Sequence, residues 1–73
     1  HARETSLVEI VVNGNRNNVP PGLDLPALLS HLGIALDRVA VELNGTIVRK
    51  PDWAGTPILP GSRIEIVQFV GGG

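Results

Sequence analysis

The chain has 73 residues, 42% of them hydrophobic and 3% aromatic, with a formal net charge of −1 and no cysteine. That length makes one small domain near the lower limit for folding without staples, and the missing thiols exclude a disulfide, a thiolate metal site and a catalytic cysteine. A near-neutral, aromatic-poor chain offers neither a basic patch nor stacking platforms for nucleic acid, and no apolar run approaches the roughly 20 residues of a membrane span. Two histidines, one of them His1, are too few for a histidine metal site. With nothing resembling a secretion signal, a cytoplasmic protein is expected.

His1 to Ser6 are polar and patternless and read as a flexible N-terminal extension or cloning remnant, residues 1–6, before a domain over 7–69. Residues 7–12 are β-branched and partly alternating, a strand with Val8, Ile10 and Val12 on the core face. Asn13-Gly14 follows, the pair favoured in a type I′ hairpin turn because both central residues need positive φ. The return strand, 15–19, is polar and weak and so belongs at an edge. Pro20-Pro21-Gly22 ends it, since proline cannot donate to a ladder.

Asp24 suits a helix N-cap, and Pro26 in the first turn lacks only an N–H that would be unpaired there anyway. Leu25, Leu28, Leu29 and Leu32 recur at helical spacing, which predicts one short helix over 25–32 stopped by Gly33. His31 lies near its C-terminus on the polar side of the stripe, where it complements the helix dipole or faces solvent; an acid–base role is the weaker reading.

A linker, 34–38, leads to a second clear strand, 39–43, apolar at Val39, Val41 and Leu43. Asn44-Gly45 repeats the hairpin signal, and 46–49 returns as a strand closed by Lys50-Pro51. Residues 52–55 read as a single turn capped by Asp52, with Trp53 as a plug over one end of the core. Ile58-Leu59 precedes the turn Pro60-Gly61-Ser62, and 63–69 forms the last strand.

Two hairpins and one helix in so few residues predict an α+β fold, a mixed sheet of four to five strands with the helix across one face and the other face towards solvent. The last strand breaks the expected polarity. Ile64 and Ile66 share one face, yet Val67 and Phe69 share the other with Glu65. Outward apolar residues predict a partner surface at Val67, Phe69 and Val70; cover by a neighbouring loop is the alternative.

The strand runs into Val70-Gly71-Gly72-Gly73, read as a flexible tail, 70–73. Glycine loses more backbone entropy on ordering than any other residue, so the run suits entry into a narrow site where a Cβ would clash. Extended, it spans roughly 10 Å at about 3.3–3.6 Å per residue. A frayed end is the plain alternative.

The strand entering a terminal Gly-Gly resembles the β-grasp, ubiquitin-like fold, and specifically the ThiS-type sulfur carriers of thiazole formation in thiamine biosynthesis. The resemblance rests on Val11-Val12-Asn13-Gly14, Leu28-Leu29, the stretch from Val39 to Val48, Trp53 and the run from Ile64 to Gly73, and covers residues 7–73. Pro60-Gly61-Ser62 stands where the family usually has a more acidic Gly-Asp turn, and Gln68 where it often has histidine.

The resemblance implies a carrier and cosubstrate rather than an enzyme. An ionised α-carboxylate is a poor electrophile. ATP would convert the Gly73 carboxylate into an acyl-adenylate, and a persulfide sulfur would displace AMP to leave a Gly73 thiocarboxylate. Gly72 would pass the narrowest part of the adenylating site and Gly71 would give slack. No cofactor would be bound permanently, since the ATP and Mg belong to the partner. The implied partners are a ThiF-type adenylating enzyme, a ThiG-type thiazole synthase and a persulfide donor such as a cysteine desulfurase. Rival readings are a molybdopterin-synthase small subunit, a ubiquitin-like protein modifier and an interaction module with an inert tail.

Overall fold

The computed structural model describes residues 6–69; positions 1–5 and 70–73, including Val70 and the three tail glycines, lie outside the described residues. The first strand, β1, is Val8–Val12, and β2, Asn15–Val19, pairs with it antiparallel from Val8↔Val19 to Val12↔Asn15. The turn has φ of 49° at Asn13 and 84° at Gly14, the left-handed pair that the Asn-Gly sequence predicts.

Helix α1, Leu25–His31, starts where expected because Asp24 accepts a hydrogen bond at 3.0 Å from the Ala27 N–H. Leu25, Leu28 and Leu29 are fully buried, whereas Leu32 forms the C-cap and is half-buried. The helix ends one residue earlier than the leucine stripe suggests, at the cap preceding Gly33 with its φ of 77°.

Strands β3, Val39–Leu43, and β4, Thr46–Val48, form the second hairpin around Asn44 and Gly45, with φ of 52° and 87°. The region after it differs from expectation. A 3-10 helix runs over Lys50–Gly55, Arg49 is its cap residue without a side-chain hydrogen bond, and Asp52 lies inside the first turn rather than capping it. The Asp52 backbone carbonyl instead accepts from the Thr56 hydroxyl at 2.7 Å. Proline at position 51 explains the earlier start, because its fixed φ suits a helical first turn.

Trp53 is buried as a plug, and its indole N–H donates to the Val48 carbonyl at 2.8 Å. Strand β5, Arg63–Gln68, completes a five-stranded sheet in the order β2-β1-β5-β3-β4, parallel to β1 and antiparallel to β3. Ile10 and Val12 of β1, Val41 of β3 and Ile64 and Ile66 of β5 meet the helix leucines, Trp53 and Ile58 in one core. Each such side chain contributes about 1.5–3 kcal/mol by leaving water. This is the β-grasp arrangement, with a helix on one sheet face and the other face open.

Candidate functional site

The strand that leads to the glycines is the centre of the sheet, and both hairpin turns grip its backbone. At its base, Asn44 accepts from the Arg63 N–H through Oδ1 at 2.8 Å and donates its own N–H to the Arg63 carbonyl at 2.7 Å. Further along, the Asn13 N–H donates to the Ile64 carbonyl at 2.8 Å. The Asn13 side chain then reaches Ile66, accepting from its N–H at 2.7 Å and donating to its carbonyl at 3.2 Å. At the far end the Phe69 N–H donates to the Arg38 carbonyl at 2.8 Å, and Arg38 is a non-glycine residue with φ of 62°. Left-handed backbone at such a residue is uncommon and persists only where its surroundings hold it.

The base of β5 is closed by Ser62 in place of an acidic turn. Its buried hydroxyl donates to the Leu59 carbonyl at 2.7 Å and accepts from the Leu59 N–H at 3.1 Å, while the Gly61 N–H bonds to the Glu9 carbonyl at 2.8 Å. The unusual Pro60-Gly61-Ser62 turn therefore supplies its own closure.

Val67 and Phe69 are each 57% exposed, so no loop among the described residues covers them, and Ile47 of β4 adds a third apolar side chain at 65%. Register places Ala40 opposite Val67 and Glu42 opposite both Glu65 and Ile47. These strands thus carry apolar and acidic residues on the open face near the end from which the tail departs. A shallow hollow of about 390 Å³ on the same face runs up from the base of β5, lined by Glu42, Gly45, Arg63, Glu65 and Val67.

The remaining site residues expected from sequence, Val70, Gly71, Gly72 and Gly73, lie outside the described residues. His31 is exposed at the helix end. Among the described residues no three His, Cys, Asp or Glu side chains are grouped to hold a metal ion, and no helix is long and apolar enough to cross a membrane. Sequence reading missed the two asparagine side chains as clamps on β5. The only signal for them was their place in Asn-Gly turns, which says nothing about where the amide points.

Comparison with known proteins gives a consistent picture. The ThiS family model matches residues 5–73. A thiazole synthase of Paramagnetospirillum magneticum is 39% identical over 66 residues, which are 90% of this chain and 20% of that enzyme. The chain thus spans about a fifth of the length of that relative. The ycf40 protein of Porphyra purpurea is 33% identical over 66 residues, 90% of this chain and 93% of that protein. The crystal structure of the thiamine biosynthesis protein ThiS from Geobacter metallireducens superposes with a TM-score of 0.78 at 33% identity, over 90% of this chain and 100% of that one.

Proposed function

The chain belongs to the ThiS family, and on that premise we propose that it is a sulfur carrier for thiazole formation in thiamine biosynthesis, with the Gly73 carboxylate as its reacting group. A carboxylate oxygen of Gly73 attacks the α-phosphorus of ATP and releases pyrophosphate, forming an acyl-adenylate. The terminal sulfur of a donor persulfide then attacks the acyl carbon and AMP leaves. A second thiol cleaves the resulting acyl persulfide at its S–S bond, leaving the thiocarboxylate on Gly73 and a disulfide on the donor side. That thiocarboxylate is the nucleophile handed to the thiazole synthase.

No step requires a side chain of this chain, so it acts as cosubstrate and the catalysis belongs to its partners. The observation that carries the reading is the central strand, gripped by Asn44, Asn13 and Arg38 and running directly into Val70-Gly71-Gly72-Gly73. A rigid platform followed by residues without side chains is what a carrier needs to place one carboxylate inside another protein's site. The open face with Val67 and Phe69 supplies the docking surface. A thiazole synthase that contains a segment similar to this chain supports a ThiG-type partner over the molybdopterin pathway.

The test is the intact mass of the protein after incubation with ATP, a ThiF-type enzyme, a cysteine desulfurase and cysteine. One oxygen-to-sulfur exchange localised to Gly73 is expected. Lysine conjugates of other proteins in its place would assign the chain to protein modification instead.

A further inference from the structure

Among the described residues, the last half of β5 has a strand on one side only. Pairing with β3 continues from Leu43↔Ile64 to Val39↔Gln68, whereas pairing with β1 stops after Val11↔Arg63 and Val12↔Ile64. Past Ile64 the polypeptide of β1 has already turned away at Asn13-Gly14. The Asn13 side chain takes the place of the missing strand: its amide offers Ile66 one acceptor at 2.7 Å and one donor at 3.2 Å, as the backbone of a neighbouring strand would. A primary amide carries its acceptor and its donor on two separate atoms, so it can meet a backbone N–H and C=O at once. Aspartate would set a carboxylate against the Ile66 carbonyl, and glycine would keep the φ of 49° but leave both groups of Ile66 without this partner.

We propose that Asn13 is a positioning residue for activation of Gly73: it holds the β1-side edge of β5 at Ile66, opposite the β3 pairing that runs to Gln68 and the Phe69–Arg38 bond beyond it, and so helps to set the point from which the glycines depart. This rests on the carrier reading given above. Three residues separate Ile66 from Val70, and the tail beyond reaches only roughly 10 Å. If the end of β5 peels from the sheet, the origin of that reach moves by several ångströms. A misplacement of about 1 Å at a reacting group is enough to cost up to a hundredfold in rate.

Asn44 provides the internal comparison. It sits in the same kind of turn, with φ of 52°, and grips the same strand through Arg63, at the end remote from the tail. Both asparagines stabilise the fold, but of the two it is Asn13 that acts on the half of β5 leading to the tail.

The experiment compares Asn13→Gly with Asn44→Gly in ATP–pyrophosphate exchange by a ThiF-type adenylating enzyme, alongside amide hydrogen exchange at Ile66. Asn13→Gly is expected to speed exchange at the Ile66 amide roughly tenfold and to lower kcat/KM for adenylation by about the same factor. Asn44→Gly is expected to lose similar global stability yet stay within about twofold of the parent in kcat/KM. Equal losses in both variants, tracking stability alone, would overturn the positioning role, and so would unchanged adenylation of Asn13→Gly. Should Asn13→Gly not fold, Asn13→Asp keeps the acceptor for the Ile66 N–H and is expected to fall between parent and glycine variant; parental activity there would equally overturn it. Absence of adenylation in the parent protein itself would remove the carrier reading, and the role of Asn13 with it.

Discussion

Glu42 of β3 and Glu65 of β5 stand directly opposite one another in the antiparallel register, both exposed on the open sheet face. Arg63 lines the same hollow, but the ion pair found among the described residues is elsewhere, between Arg16 and Glu9 at 3.4 Å. Opposed like charges on adjacent strands repel and lower stability, by roughly 0.2–1 kcal/mol against a matched pair. Glu65→Lys is therefore expected to raise the free energy of unfolding by a few tenths to about 1 kcal/mol at low salt. In 1 M salt, where the screening length is about 3 Å, most of that gain should vanish. Urea titrations at two ionic strengths check this; a loss of stability at low salt would show that the pair is relieved by something other than opposite charge.

Trp53 caps one end of the core and bonds the Val48 carbonyl through its indole N–H at 2.8 Å. Trp53→Phe removes that donor while keeping much of the ring, and should cost about 1–3 kcal/mol because a carbonyl is left without its partner. Trp53→Ala also opens a cavity and should cost about 3–5 kcal/mol, enough to unfold a large fraction of so small a domain. Circular dichroism melts of both variants test the ranking, and equal melting temperatures would contradict the plug.

Val67 and Phe69 make their contacts with solvent in the isolated chain. Substituting either by serine is thus expected to shift stability by no more than about 0.5–1 kcal/mol. If the open face docks the adenylating enzyme, the same substitutions should raise KM for the carrier several-fold with kcat little changed, since the tail itself is untouched. The pair of measurements matters: a stability loss of several kcal/mol would return these side chains to the core.

How much of this was legible in the sequence follows from the range of the interactions concerned. Both Asn-Gly turns, the Asp24 cap and the leucine stripe are local, decided within a few residues, and the fold has them where the sequence places them. Alternation along one strand put Val67 and Phe69 on the face away from Ile64 and Ile66, but it left open whether a loop covers them, and their exposure is decided by the fold. Asp52 was misread because aspartate favours caps generally, while Pro51 sets the helical start one turn earlier. The Asn13–Ile66 contact bridges 53 positions, and the parallel pairing of β1 with β5 joins the two ends of the domain. No local pattern encodes either, because register between distant strands is settled by packing of the shared core.

The glycine tail supports the sharpest prediction. Gly72→Ala adds one methyl group beyond the last residue of β5, outside the elements that form the core. Folding stability should therefore match the parent within about 0.5 kcal/mol. In the proposed reaction that methyl must enter the channel leading to ATP, where an alanine Cβ both clashes and removes the backbone freedom that glycine supplies. ATP–pyrophosphate exchange is accordingly expected to fall by at least about tenfold, mostly in kcat, because docking through the sheet face is preserved while the carboxylate is misplaced. Gly71→Ala, one residue nearer the domain, should fall less if it only provides slack. Parental turnover by Gly72→Ala would remove the threading role of that residue, and a larger loss at Gly71 than at Gly72 would move the narrowest point of the channel towards the domain.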